Sequence, residues 1–577
     1  MKKKLLPALI VTGLIILVVI IMGITALINK YTPTKKTEDL KEYFNISSDD
    51  EAALIVDNEL SDYKAKIIDK KIYVDYKFVH DSLNSRFYWD ANENVLLYTT
   101  ASDIISAAAD SNSYSVTKQT NDFGYPIVKA TSDSALIALD YVKQYSNITF
   151  KSYDDPARIV ITSKWDEIDS ATVSNSTQIR VKGGIKSPIL KEVKKDDKIT
   201  ILDSGDKWDK VATEDGVIGY IKGKALSESK KTKLTNPDYE EETFTHIKKD
   251  KDICLAWNQV TSQSANSKVP QVISSTKGIN VMSPTWFYLN DNNGNLADIA
   301  SKDYVSYCHS QGIEVWGLFS NFENTDVDAA YVLTHTSTRT TLINQIMSAA
   351  FNYELDGVNI DFENITEAAY GDSYIEFIRE LAIKCHNNGI SLSVDVTVPA
   401  SFNKFFNRSD MANFADYIVI MGYDEHYKGS DAGSVSSIPW VTEGVESTLK
   451  EVPADQIILG MPFYTRIWEL TPKEDDDAVT DTEDQSKYTV ASQVYSMDAA
   501  AAQLATNNAT AALDEESGQN YAEWSVSNKL YKVWLEDTTS LEKRLKLVDD
   551  NKLAGAAFWK LGFENSSVWD TVIKYLD

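Results

Sequence analysis

The run Asp356-Gly357-Val358-Asn359-Ile360-Asp361-Phe362-Glu363 sets three carboxyl groups and an amide into one short, otherwise apolar stretch. Read as an extended strand, residues two apart point to the same side, so Asn359, Asp361 and Glu363 project together, with Asp361 and Glu363 roughly 6–7 Å apart along the chain. Burying such a row costs free energy unless each group is partnered or used. A carboxyl partly withdrawn from water, with a second carboxylate beside it, gains proton affinity. An acid of that kind protonates the leaving oxygen when a glycosidic bond breaks. The competing structural role is capping, in which an Asp at a strand end accepts N–H bonds from a following helix.

Such a row needs a scaffold that points it into an enclosed space. Between 246 and 577, eight apolar strand candidates alternate with helical stretches: Ile253–Gln259, Gly278–Trp286, Ile313–Ser320, Gly357–Phe362, Ser391–Thr397, Tyr417–Gly422, Ile457–Met461 and Gly555–Trp559. The intervening segments, such as Tyr374–Asn387, carry apolar residues at helical spacing. Alternation repeated this often predicts a (β/α)₈ barrel of parallel strands. Polar and aromatic residues gather at the expected C-terminal strand ends, where such barrels keep their sites: Trp257, Trp286, Asn321, Glu363, Thr397, Tyr423, Tyr464 and Trp559. The long gap between strands seven and eight holds an insertion reaching to about Asp537, with an acidic run from Glu474 to Asp477 that reads as a solvated loop rather than a calcium site.

The stretch Asp356 to Glu363 resembles the Asp-Gly-x-Asp-x-Asp-x-Glu signature of glycoside hydrolase family 18, the chitinase family. Met421-Gly422-Tyr423-Asp424, Leu459-Gly460-Met461-Pro462-Phe463-Tyr464 and Gly555-Ala556-Ala557-Phe558-Trp559 resemble its sixth-, seventh- and eighth-strand motifs. The resemblance implies that Glu363 is the general acid/base and that no protein nucleophile exists, because the 2-acetamido oxygen of the substrate attacks the anomeric carbon. It implies that Asp361 orients the acetamide and stabilises the oxazolinium intermediate, that Tyr423 hydrogen-bonds the acetamide carbonyl, and that Trp559 stacks under the distorted sugar. Asp356, Asn359, Met421, Asp424, Tyr464, Trp257 and Trp286 are the further substrate-binding candidates. The implied substrate is a β-1,4-linked N-acetylhexosamine polymer, cut with retention, and the implied cofactor and metal requirement is none.

One position departs from the signature: Asn359 stands where the chitinase motif has Asp. Asn holds no proton, so relay of a proton towards Asp361 is in doubt, while its amide could still orient Asp361. With Asp424-Glu425-His426, Ser437-Ile438-Pro439-Trp440-Val441, Gly518-Gln519-Asn520-Tyr521 and Trp534-Leu535-Glu536-Asp537, this Asn form resembles the spore-cortex and peptidoglycan-directed branch of the family. Glu425 and His426 are expected either along the substrate groove or on a loop surface. Peptidoglycan is the favoured substrate. A chitinase and a non-catalytic sugar-binding scaffold are the alternatives.

The 577-residue chain is too long for one core. Residues 1–4 are expected in the cytoplasm, because Lys2, Lys3 and Lys4 precede an uncharged run, 5–28, that reaches across a hydrocarbon core of ~30 Å. This reads as a single-pass signal anchor in the membrane of a Gram-positive-like bacterium, with the remaining domains outside. A cleaved signal peptide is the rival, for which Thr25-Ala26-Leu27 is a poor cleavage site. A polar tether, 29–49, follows. Residues 50–165 hold two similar stretches, from Lys71 and from Ala135, each a strand, a helix and a hairpin. They resemble the repeat domain named after the N-terminal domain of copper amine oxidases, without any His cluster for copper. Residues 170–230 read as short strands, and Trp208 with Gly216-Val217-Ile218-Gly219-Tyr220-Ile221 resembles a bacterial SH3-like barrel, a fold that often contacts cell-wall peptides. Trp208 and Tyr220 could equally serve only to pack that barrel. Residues 229–245 read as a charged linker.

The formal net charge of −28 argues against nucleic acid as a partner, since phosphate contacts need basic stripes. The 30 Tyr and 12 Trp are compatible with sugar binding without establishing it. Cys254, Cys308 and Cys385 are too few and too odd in number for a disulfide scaffold, and each sits in an apolar pattern. The six His form no metal-ligand spacing.

Overall fold

The computed structural model describes residues 2–576 except 364, 366, 367 and 474–484. The acidic run from Glu474 to Asp477 therefore lies outside the described residues. The chain forms two compact units: Met1–Trp89 with Ala107–Tyr114 and Thr120–Glu241, and Asp90–Ser106 with Ser115–Gln119 and Glu242–Asp577.

In the first unit, Lys2–Tyr31 is one helix, and its stretch Leu9–Tyr31, of mean hydropathy 2.9, is long and apolar enough to cross a membrane. The strand–helix–hairpin order appears twice. Lys71–Asp75, Tyr76–Ser82 and Phe87–Asp90 begin the first set, whose last strand, Val95–Thr99, belongs to the second unit, and Ala135–Ala138, Leu139–Gln144, Thr149–Tyr153 and Arg158–Thr162 make the second. Asp75 starts the first helix by accepting the Lys77 amide, the N-cap role for which Asp is suited. Seven further strands between Glu167 and Lys233 pair into one sheet around Val173, Ile179, Val193, Ile199, Val211 and Ile221. One of them, Lys230–Lys233, lies in the expected linker. It pairs with Glu167–Ser170, opposing Lys233 to Glu167 and Lys231 to Asp169. Opposite charges facing across an antiparallel pair stabilise a polar strand that has no buried face of its own.

The second unit is built on a closed barrel of eight parallel strands: β1 (Ile253–Asn258), β2 (Val281–Leu289), β3 (Glu314–Ser320), β4 (Gly357–Asp361), β5 (Ser391–Thr397), β6 (Tyr417–Met421), β7 (Ile457–Pro462) and β8 (Gly555–Trp559). β8 pairs with β1 in parallel register, Ile253 opposite Gly555, which closes the ring. Alternation along the strands sorts the apolar residues into two layers. Ile253, Leu255, Trp257, Val281, Trp316, Leu318, Tyr417, Val419, Ile458 and Ala557 fill the lumen. Cys254, Ala256, Met282, Val315, Val358, Ile360, Leu392, Val394, Ile418 and Leu459 face the helices instead. Gly357 is required at the base of β4, because a Cβ there would meet the Trp316 ring at 2.5 Å. The three cysteines are buried and free, and burial raises the thiol pKa of each.

The insertion between β7 and β8 is a five-stranded antiparallel sheet, Tyr464–Pro472, Tyr488–Ser496, Ala512–Asp514, Gln519–Val526 and Lys529–Leu535, with the helix Met497–Thr506 against it. Its return to the barrel is held by Arg544, on the helix Thr538–Asn551. The guanidinium makes two 2.7 Å bonds to Glu536 and donates to the Ser436 carbonyl at 2.9 and 3.2 Å, and both charged side chains are wholly buried. Removing one member of such a pair leaves an uncompensated buried charge. Arg544→Met is expected to cost about 3–5 kcal/mol, read as a lower denaturant midpoint of the C-terminal unit by tryptophan fluorescence.

Candidate active site

The β4 row turns inward as its spacing requires. Asn359 is fully buried and Asp361 is 6% exposed. Glu363 stands two residues past Asp361, at the mouth, where its side chain is open to the cavity while protein crowds its other sides. The cavity has a volume of about 960 Å³, and its wall includes Trp257, Asp361, Glu363, Asp395, Tyr423 and Trp559.

Asn321, just past β3, grips the backbone of Glu363 from both sides. Its amide nitrogen donates to the Glu363 carbonyl at 2.8 Å, and its oxygen accepts the Glu363 N–H at 2.9 Å. This two-point contact sets where the strand end delivers the acid. Glu363 is raised above the usual carboxyl range, first by burial and then by the negative charges of Asp424 and Glu323.

Beneath Glu363, Asp361 and Asp395 are both raised well above the ordinary carboxyl range. Burial is the main cause for each. Repulsion from Asp395, Glu363 and Glu323 adds to it for Asp361, and repulsion from Glu363 for Asp395. Asp395 accepts the Asn359 amide at 2.7 Å, which favours its charged form, whereas Asp361 Oδ1 is buried with no hydrogen-bond partner among the described residues. The Asn359 donor thereby opposes the upward shift at Asp395, and no such donor is seen at Asp361 Oδ1 among the described residues.

Asn359 is not part of the cavity wall. Its Oδ1 accepts from Trp257 Nε1 at 2.9 Å and Ser283 Oγ at 3.0 Å, and its Nδ2 donates to Ser393 Oγ at 3.0 Å and to Asp395. Its amide is thus directed at Asp395 and Ser393 rather than at Asp361. Met421, Tyr423, Asp424, Trp257 and Trp559 line the cavity. The Trp257 and Trp559 rings meet edge to face, 6.0 Å apart. Tyr464 stands outside the wall and donates its hydroxyl to Asp424.

Two sequence candidates lie elsewhere. Trp286 is fully buried in the outer layer, donating to Asn266 at 2.8 Å. It is three residues from lumen-facing Ser283, and an odd separation along a strand reverses the face. Asp356 precedes β4 at the opposite end from Glu363, where it accepts the Val315 amide and pairs with His309, both at 2.8 Å. Glu425 lines the cavity, while the His426 ring contacts the Asp431 carbonyl at 2.9 Å and is not in the wall.

The cavity also contains residues that sequence reasoning did not single out. Asp395 was legible in Ser391-Leu392-Ser393-Val394-Asp395-Val396-Thr397, whose strict alternation puts a polar face into the lumen. Glu323, Phe322, Phe402 and Tyr427 come from loops, and no periodicity marks them.

The C-terminal mouth of the closed barrel thus carries a buried acid pair, Asp361 and Asp395, beneath Glu363, and all three have raised proton affinity. The profile of the family described as "Glycosyl hydrolases family 18" matches residues 316–564, and together with the relatives below it supports glycosidase activity for this region. The chain is 24% identical over 302 residues to "Uncharacterized glycosylase YvbX" of Bacillus subtilis (strain 168), covering 49% of this chain and 81% of that protein. It is 24% identical over 287 residues to "Cortical fragment-lytic enzyme" of the same organism, covering 48% of this chain and 63%, less than two thirds, of that protein. The crystal structure of the spore cortex-lytic enzyme SleL of Bacillus megaterium QM B1551 aligns with a TM-score of 0.49 at 19% identity, covering 56% of this chain and 74% of that one.

Because Asn321 acts on the Glu363 backbone, its loss should displace the acid without removing it. Asn321→Ala is expected to lower kcat about 10- to 100-fold with KM little changed. Equal kcat in a folded variant, measured on an N-acetylglucosamine oligomer, would show that the clamp has no part in placing Glu363.

Proposed function

We propose that the chain is a retaining, substrate-assisted glycoside hydrolase of β-1,4-linked N-acetylglucosamine-containing polymers, with cell-wall peptidoglycan as substrate. The observation that carries this reading is the pairing of Glu363 at the cavity mouth, its proton affinity raised by burial and by Asp424 and Glu323, with Asp361, whose buried Oδ1 has no partner among the described residues.

Glu363, protonated, gives its proton to the glycosidic oxygen as the bond from that oxygen to the anomeric carbon breaks. The carbonyl oxygen of the 2-acetamido group attacks the anomeric carbon from the opposite face, forming an oxazolinium ion. The free Oδ1 of Asp361 receives the acetamide N–H, and the field of Asp361 and Asp395 stabilises the positive charge as it develops. Tyr423 holds the acetamide carbonyl, and Trp559 carries the sugar ring. Water then attacks the anomeric carbon, Glu363 takes its proton, and the oxazolinium reopens with net retention.

Peptidoglycan is favoured over chitin by the domain context. The N-terminal apolar helix reads as a signal anchor, the 170–230 region as an SH3-like wall-contacting module, and 50–165 as a copper-amine-oxidase-N-like repeat. The similarity to a cortical fragment-lytic enzyme supports the same choice. Asn359 fits this mechanism as a fixed donor to Asp395, a role that needs no proton of its own.

The decisive comparison uses the full chain in detergent and its Glu363→Gln variant with peptidoglycan and with chitin oligomers, new reducing ends being identified by mass spectrometry. Ends are expected from peptidoglycan, and Glu363→Gln is expected to lose about 10²–10⁴-fold in turnover with binding retained. Ends from chitin alone would favour a chitinase, and ends from neither would leave a non-catalytic binding scaffold.

The pH dependence comes from the required protonation of Glu363. kcat/KM should fall as pH rises through the Glu363 pKa, so the basic limb should lie above the ordinary Glu value of about 4.3. Asp424→Asn removes a negative neighbour, makes the proton easier to lose, and should move that limb to lower pH. A limb that stays in place would exclude Glu363 as the titrating acid.

A further inference from the structure

The cavity wall carries six carboxyl side chains, Glu323, Asp361, Glu363, Asp395, Asp424 and Glu425, and among the described residues that line it there is no Lys, Arg or His. Residues 364, 366, 367 and 474–484 contain only neutral and acidic side chains in the sequence. The outer carboxylates are held by neutral donors. Glu323 accepts the Ser320 hydroxyl at 2.6 and 2.7 Å, and Glu425 accepts the Ser437 amide at 2.7 Å and its hydroxyl at 2.9 Å. Asp424 accepts the Tyr464 hydroxyl. Neutral donors orient a carboxylate without cancelling its charge.

Among the described residues, cations stand next to this wall without lining it, and one of them, Arg408, donates to the carbonyl of the wall residue Thr397 at 3.1 Å. Arg466 lies 3.9 Å from Asp424, and the Lys560 ammonium donates to Gln259 at 2.5 Å and sits 4.4 Å from the Phe563 ring centre. They leave the acidic majority in place. Burial is the main cause of the raised proton affinities of Glu363, Asp361 and Asp395, and repulsion from neighbouring carboxylates adds to it. Any further anion brought into the cavity meets that repulsion. The uncharged part of the wall, including Trp559, Trp440, Tyr427 and Phe402, offers ring faces to sugars instead, and Asp361 Oδ1 offers an acceptor to an amide N–H.

We propose that the cleft selects its glycan by charge: it takes sugars that are uncharged beside the scissile bond, including muramyl residues whose lactyl carboxyl is held in an amide, and rejects the same sugars bearing a free carboxylate. This rests on the glycan-hydrolase reading above and narrows its substrate. Like charges placed together in an interface cost affinity, and the effect reaches only about a Debye length, roughly 8 Å at physiological salt. Carboxylates at the far end of a stem peptide are therefore tolerated, and one on the sugar at the cleavage site is not.

The test uses two tetrasaccharides of alternating N-acetylglucosamine and N-acetylmuramic acid, identical except that one carries free lactyl carboxylates and the other their N-methylamides. Each is titrated calorimetrically into the full-length Glu363→Gln protein in nonionic detergent. The amide is expected to bind at least about tenfold more tightly at roughly 20 mM salt, with the ratio falling towards one near 1 M, where the Debye length is about 3 Å. Glu323→Gln in the same background should narrow the low-salt ratio. Equal affinities at low salt, tighter binding of the carboxylate, or binding of neither would overturn the proposal. Chitotetraose cleavage by the native chain separates the two failures. Cleavage with equal binding removes charge selection alone, and selective binding without cleavage of any glycan removes the hydrolase reading alone.

Discussion

The saturated amide of Asn359 is the interaction around which the catalytic end of the barrel is organised. It sits on β4, with bonds to Trp257 on β1, Ser283 on β2, and Ser393 and Asp395 on β5. A buried amide offers two donors and two acceptor sites, and here all four are used. Each bond runs to a different side chain of the lumen, so the positions of the Trp257 ring and the Asp395 carboxyl are tied to one group. An Asp at the same place would add a third acid to a buried pair already under repulsion. The neutral amide supplies the donor that Asp395 needs and adds no charge.

Acids of similar type thereby divide the chemical labour. Asp395 has a donor and lies deep, Asp361 has a buried oxygen with no partner among the described residues, and Glu363 stands at the mouth with its backbone clamped by Asn321. Burial raises all three, yet their hydrogen bonds separate them. In the mechanism proposed, the pair below supplies a fixed field and Glu363 above it transfers the proton. Such preorganised charge is effective because the barrel strands, packed on both faces, do not have to reorganise during the reaction.

The insertion contributes to the same site at one remove. Tyr464, its first residue, donates to Asp424 of the cavity wall, and its last strand leads to Glu536, which Arg544 binds in a wholly buried pair. The Ser436 carbonyl that Arg544 also holds is one residue before Ser437, the residue that positions Glu425. Asp424 and Glu425, two of the three outer carboxylates, are thus held by the same structure that docks the insertion sheet.

The sequence by itself determined the eight strands and the inward face of β4, because strand alternation is local and survives without a partner. It also held Asp395, unremarked, in the alternation of β5. It misdirected Trp286, Asp356 and the reach of the Asn359 amide. A strand end marks a residue as near the mouth without saying which face it takes, and a side-chain amide has several partners within reach. Only the tertiary structure decided that Asn359 bonds away from Asp361, that Asn321 clamps Glu363, and that Glu323, Phe402 and Tyr427 join the wall from loops. Those outcomes depend on how residues far apart in the chain are brought together by closure of the barrel, and no spacing along the sequence encodes that distance.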